Sequence, residues 1–183
     1  MNSLTSKLGP TSSSFGDSAL LTDVQGESEA YEILVAERLA DAGVVFQLAY
    51  SYWNALRGDR AMCSRAEIDP IELRDVLTHL IILDVVRDPF DGIVRLAGSD
   101  VEKSVGFPLT NLALSQIWDS RETFIMSEYE RLAAGTKPRY SVNKCENAWQ
   151  AHKKVSRLLC PLSTDGVTVD AILGAVIFEK ANL

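Results

Sequence analysis

Between Tyr52 and Phe107 the chain changes character at short, regular intervals, and that order constrains its fold more than any other feature. Tyr52-Trp53-Asn54-Ala55-Leu56-Arg57-Gly58 reads as a helix end with a glycine stop. Asp69-Pro70 reads as a helix start, with Asp69 as cap and Pro70 in the first turn, and Ile71, Leu73, Val76, Leu77 and Leu80 as its buried side. Leu80 to Val86 is apolar and rich in β-branched residues, the pattern of a buried strand. Asp88-Pro89-Phe90-Asp91-Gly92 is a turn and Ile93 to Ala97 a second strand, so the two pair as an antiparallel hairpin. A short helix over Asp100 to Val105, closed by Gly106, brings the chain back.

Downstream, Pro108 to Trp118 suits short helical turns. Glu122 to Ala134 places Phe124, Ile125, Tyr129, Leu132 and Ala133 at helical spacing, with Gly135 as the C-terminal signal. Three strands are expected at Arg139–Asn147, Lys153–Leu162 and Val169–Glu179, with a tight turn at Asp165-Gly166. Upstream, Ser28 caps a helix that runs to Gly43, and a second run carries Val45, Leu48, Ala49, Tyr52, Trp53 and Leu56 on one stripe. Residues 1–27 are rich in Ser, Thr and Gly and lack periodicity, as a disordered tail does. The division expected is a tail over residues 1–27, a flanking helix over 28–44, and one domain over 45–183. Two strands, several short helices, one longer helix and three more strands make an α+β layout: a five-stranded antiparallel sheet with helices on one face and an N-terminal helical extension.

Composition removes several classes of function. No apolar run reaches the ~20 residues of a membrane span, and Met1 to Lys7 lacks a signal peptide's pattern, so a cytoplasmic location is expected. The net charge of −7 disfavours general binding to phosphate backbones. Cys63, Cys145 and Cys160 form no Cys-x-x-Cys pair, which suits reduced thiols rather than disulfides or zinc. No Gly-x-Ser-x-Gly, Walker loop, Gly-x-Gly-x-x-Gly or His-Glu-x-x-His is present, so no enzyme motif emerges.

Six pieces in fixed order resemble a family. They are Tyr52-Trp53 with Leu56-Arg57-Gly58; Ile68-Asp69-Pro70; Leu83-Asp84-Val85-Val86; Arg95-Leu96-Ala97-Gly98; Gly106 with Leu109-Thr110; and Pro161-Leu162-Ser163-Thr164-Asp165-Gly166. Together they cover about residues 45–179 and resemble the PAS domain, in particular a bacterial subgroup of small stand-alone PAS proteins. That subgroup usually has Pro near Cys63, Thr at Ser99 and Gly at Asn111; Asn tolerates a left-handed backbone, so the last departure is mild. The resemblance implies a non-catalytic sensory or regulatory module that binds a small ligand or a protein partner in bacterial signalling. It also implies pairing through the flanking helix. No cofactor is implied; an unidentified small apolar ligand is compatible with it.

The cavity candidates are Trp53, His79, Arg95, Phe124 and Tyr129. His79, where a helix meets a strand, is read as a hydrogen-bonded structural residue rather than a haem ligand, and Cys145 lies in a strand, unlike the adduct-forming cysteine of flavin-binding PAS proteins. Arg95 has two readings: a cross-strand ion pair with Asp84, or a cavity group holding an acidic ligand. Lys137, Arg139, Lys144, Lys153, Lys154 and Arg157 form a basic cluster, either a solvated sheet edge or a docking surface for an acidic partner. Val35, Leu39, Val44, Phe46 and Tyr50 lie off the main stripe, and this surplus predicts a homodimer built on residues 28–50. Two alternatives stay open: a small isomerase-like enzyme on an apolar substrate, which needs a carboxylate or Tyr–Asp pair in the cavity, and a scaffold with a filled core. The expected core is Trp53, Leu56, Leu73, Leu77, Ile82, Val85, Leu96, Phe124, Leu132, Leu159 and Ile177.

Overall fold

In the central strand β5 (Ala171–Lys180) side chains alternate between two separate apolar cores, and that alternation organises the domain. The computed structural model describes residues 37–118, 123–145 and 153–180. The proposed tail of residues 1–27, most of the flanking helix of 28–44, and His152 lie outside them. The remaining strands are β1 (Leu80–Val86), β2 (Asp91–Ala97), β3 (Arg139–Cys145) and β4 (Lys153–Leu162). They form one antiparallel sheet in the order β2-β1-β5-β4-β3. The strand count, the hairpin and the antiparallel pairing follow the sequence expectation. The first and last strands by sequence become central neighbours, a closure that no local pattern specifies.

One face of the sheet carries Ile81, Leu83, Val155, Leu159, Ile172 and Val176. Three helices cover it: α2 (Ser99–Val105), α3 (Leu114–Ile117) and α4 (Thr123–Ala133). Gly106, at φ 98°, ends α2 with the left-handed turn expected of it, and Asn111 takes φ 70° in the following loop. Gly98 is required by close approach, since a Cβ there would stand 2.2 Å from the Thr78 carbonyl oxygen.

The opposite face is also covered. Residues 37–42 are helical, Gly43 breaks the run at φ 105°, and α1 (Val44–Arg57) lies against Leu158, Cys160, Leu162, Leu173 and Ala175. Its buried stripe is Phe46, Ala49, Tyr50 and Trp53, rotated from the expected one: Leu48 is 44% exposed, while Leu39, Phe46 and Tyr50 are buried. Leu39, Phe46 and Tyr50, three of the residues read as surplus, therefore pack on this chain's own sheet, because the sheet has a second apolar face that needs cover; Val44 is 64% exposed and Val35 lies outside the described residues. The Trp53 indole N–H donates to the Pro161 carbonyl at 3.0 Å. β3 pairs with β4 only as far as Leu159, so the N–H that Pro161 lacks falls beyond the ladder and its carbonyl is open to Trp53.

Residues 70–76 form turns with i→i+3 bonds instead of the expected α-helix; Glu72, Leu73 and Arg74 donate to the carbonyls of Asp69, Pro70 and Ile71. Two anchors favour this tighter path. The Asp69 carboxylate accepts from the Ile71 N–H, and the Asp69 N–H donates to the Tyr52 hydroxyl. Leu73 and Val76 are buried as expected, but Ile71 is 69% exposed. Of the expected core, Trp53, Leu73, Ile82, Leu132 and Leu159 are buried, and Leu56, Leu77, Val85, Leu96 and Ile177 pack around it half-buried. The Phe124 side chain lies outside the described residues. Among the described residues no helix is long and apolar enough to cross a membrane.

Candidate functional site

Between the helix-covered sheet face and α2–α4 lies a largely enclosed apolar cavity. The sheet contributes Ile81, Val155, Arg157, Val176 and Phe178; the helices and their loops contribute Val101, Val105, Leu109, Leu114, Ile117, Trp118, Ile125 and Tyr129. Gly174 keeps β5 low beside it, since a Cβ there would stand 2.6 Å from Ile81 Cγ2 and 3.2 Å from Leu159 Cδ2. The cavity volume is about 30 Å³. One water needs roughly 10–15 Å³ on that measure, so there is room for about two.

Among the described lining residues Arg157 carries a charge, and it meets Glu128, which is not itself part of the lining. Arg157 and Glu128 approach at 3.1 Å (Nη2 to Oε2), with side chains only 4% and 5% exposed. Glu128 is carried by α4 and Arg157 by β4. The contact is ionic and lacks hydrogen-bond alignment: Arg157 Nε and Nη2 and Glu128 Oε2 are buried without hydrogen-bond partners. Leaving such groups unmatched is costly, because each lost water without gaining an equivalent bond. Burial also raises the neighbouring Tyr129 phenol above its ordinary acidity range, with Arg157 pulling the other way.

The structure separates the five residues read as cavity candidates. Tyr129 lines the cavity. Trp53 is in the core on the opposite sheet face. His79 sits at the end of a short 3₁₀ turn, its Nε2 3.8 Å from Asp100 Oδ2. Arg95 is the extra residue of a β-bulge, where the pairing steps from Ile82↔Leu96 to Leu83↔Val94. Its Nε donates to Asp84 Oδ2 at 2.6 Å, so of the two readings the cross-strand ion pair is the one formed. Arg65 donates to the other Asp84 oxygen, and Arg95 Nη1 reaches Asn111 Oδ1 at 3.3 Å. For Phe124 only the backbone is described.

The basic cluster does not survive as one surface. Arg157 turns inward to Glu128, Arg139 Nε is buried, and Lys154 pairs across the strands with Glu179 at 2.9 Å. The side chains of Lys144 and Lys153 lie outside the described residues. Sequence reading placed Arg157 in the basic cluster and missed it and Glu128 as residues at the cavity, although a signal existed. Arg157 alternates with Val155 and Leu159 at the period of a strand's buried face, and Glu128 falls among Ile125, Tyr129 and Leu132 on α4's buried stripe. Cys63 and Cys160 are buried free thiols; burial raises Cys63 to about 11 and Cys160 well above its ordinary value, which makes both poor nucleophiles. Among the described residues no group of His, Cys, Asp and Glu is arranged to hold a metal.

A β2-β1-β5-β4-β3 sheet, with helices between its second and third strands closing over a cavity, defines the architecture of a PAS domain. The PAS-domain family model matches residues 42–177, and the chain belongs to the PAS-domain family. No curated protein matches the chain.

Proposed function

We propose that this PAS domain is a non-catalytic sensory module of the bacterial cytoplasm, whose state is set by a small ligand between sheet and helices. The observation that carries the reading is the largely enclosed apolar cavity with a cation, Arg157, in its lining. A filled scaffold has no use for buried donors without acceptors. An isomerase-like site needs a carboxylate or a Tyr–Asp pair in the cavity, whereas the ionisable groups among the described lining residues are Arg157 and Tyr129. Native mass spectrometry of freshly purified protein tests the reading. A reproducible bound mass supports it; a bare chain in repeated preparations favours the scaffold.

A regulatory output through pairing belongs to the same proposal, on a smaller basis than the sequence offered. With Leu39, Phe46 and Tyr50 packed on this sheet, the large apolar side chains that the helix leaves exposed are Val44 and Leu48. A homodimer on residues 28–50 then rests on those two and on residues 28–36, outside the described residues. Light scattering at tens of micromolar checks it, and a monomer there overturns it.

A further inference from the structure

We propose that the cavity binds a compact, uncharged amide, its carbonyl accepting from the Nε–Nη2 edge of Arg157 and its N–H donating to Glu128 Oε2. This rests on the sensory reading above and specifies its ligand.

The argument starts from what is left unmatched. Arg157 lines the cavity with its side chain 4% exposed, and Nε and Nη2 both lack hydrogen-bond partners. Those two nitrogens form one edge of the planar guanidinium, the edge that presents parallel N–H donors to a single acceptor group. Glu128 Oε2, 3.1 Å from Nη2, is an acceptor in the same condition. Arg157 thus offers the cavity a pair of donors, with the Glu128 acceptor next to them just outside the lining, and the complement of this arrangement carries an acceptor beside a donor.

Charge decides between an amide and a carboxylate. Arg157 and Glu128 already cancel. An incoming carboxylate brings a second anion into an apolar enclosure beside Glu128, and burying an uncompensated charge there costs more than the fork returns. A ketone leaves Glu128 Oε2 unmatched. A primary or secondary amide satisfies both partners and adds no charge. Size narrows the class further: about 30 Å³ of open space admits little beyond the amide group itself, so the body is one or two carbons set against Val155, Val176 and Ile125. Because Glu128 is carried on α4, the ligand joins α4 to β4 through hydrogen bonds where the protein's own groups make only an ionic contact.

The test is an isosteric trio, propionamide, butanone and propionate, titrated into the full chain by NMR. The expected order has propionamide binding about tenfold or more tightly than either of the others, the margin of one hydrogen bond to a charged group. The Arg157 Nε–H resonance shifts on adding propionamide, a readout that needs no substitution. In the apolar double variant Arg157→Met/Glu128→Leu, propionamide and butanone bind alike. Propionate binding as tightly as propionamide overturns the proposal, since the fork then selects an anion. Butanone binding equally to the native chain overturns it too, because the pair then plays no part. If no probe binds while native mass spectrometry finds a bound mass, the amide class is wrong and the sensory reading stands. If no probe binds and no mass is found, both fall.

Discussion

The two faces of this sheet are built from the same alternating strands, yet they end in different states. The face under α1 is closed by large side chains: Phe46, Tyr50 and Trp53 are buried, Phe46 meets Tyr140 edge-on at 5.3 Å, and the Trp53 N–H has its acceptor. The face under α2–α4 is lined mainly by aliphatic residues, includes a side-chain-free position at Gly174, and keeps both an unfilled volume and an unmatched polar pair. One face is packed for stability. The other gives up packing and hydrogen bonds where a ligand would sit. Natural domains tolerate such local violations mostly where function needs them.

The largest expected effect lies on the filled face. Trp53→Ala removes a fully buried indole together with its hydrogen bond and should cost about 3–5 kcal/mol in denaturant unfolding. A change below 1 kcal/mol would mean that α1 does not seal the sheet. On the other face, Glu128→Leu alone strands a buried guanidinium and should cost about 3 kcal/mol. Adding Arg157→Met should return stability to within about 1 kcal/mol of the native protein. Double-variant stability as low as the single variant's would show that the pair is structural, and the contrast between faces would lose its functional meaning.

Smaller effects sharpen the contrast. Gly174→Ala pushes a Cβ against Ile81 Cγ2, a methyl fixed close to its own backbone, and should destabilise by about 1–2 kcal/mol while narrowing the cavity. Asp84→Ala, at the half-exposed cluster with Arg65 and Arg95, should cost about 1 kcal/mol or less. The last effect depends on pH. Cys63 has its folded value raised from 9.0 to about 11, so the folded state favours the protonated thiol. Its contribution is complete below pH 9 and is lost as the pH rises through 11, and Cys160 shifts in the same direction. Melting temperatures from pH 8 to 11 should fall less steeply in Cys63→Ala than in the native chain.

Particular residues show how far the text alone reached. Leu80–Val86, Lys153–Leu162 and the glycine stops at Gly58 and Gly106 were legible because strand propensity and the positive-φ turns that glycine allows are local properties. Asp69-Pro70 misled. The capping signal is real, since Asp69 does accept from Ile71, but the Tyr52 hydroxyl holds the segment in i→i+3 turns. The stripe on α1 was read about one position out of phase because Val45, Leu48 and Tyr52 are as apolar as the residues that face the sheet. Of the five cavity candidates, Tyr129 reached the cavity. Arg95 was diverted by a bulge, and Trp53 was claimed by the other face.

Local chemistry in the sequence determined the elements, their order, the antiparallel hairpin and the α+β class. Propensity, turn residues and periodicity act over a few residues and leave their marks there. Only the tertiary structure decided which face each apolar stripe covers, because β1 and β5 become neighbours across some ninety residues of chain. The same closure turned Arg157, one basic residue among several, into a buried cation facing Glu128. Burial comes from surfaces meeting across the fold, and nothing at positions 128 or 157 taken singly records that they will meet.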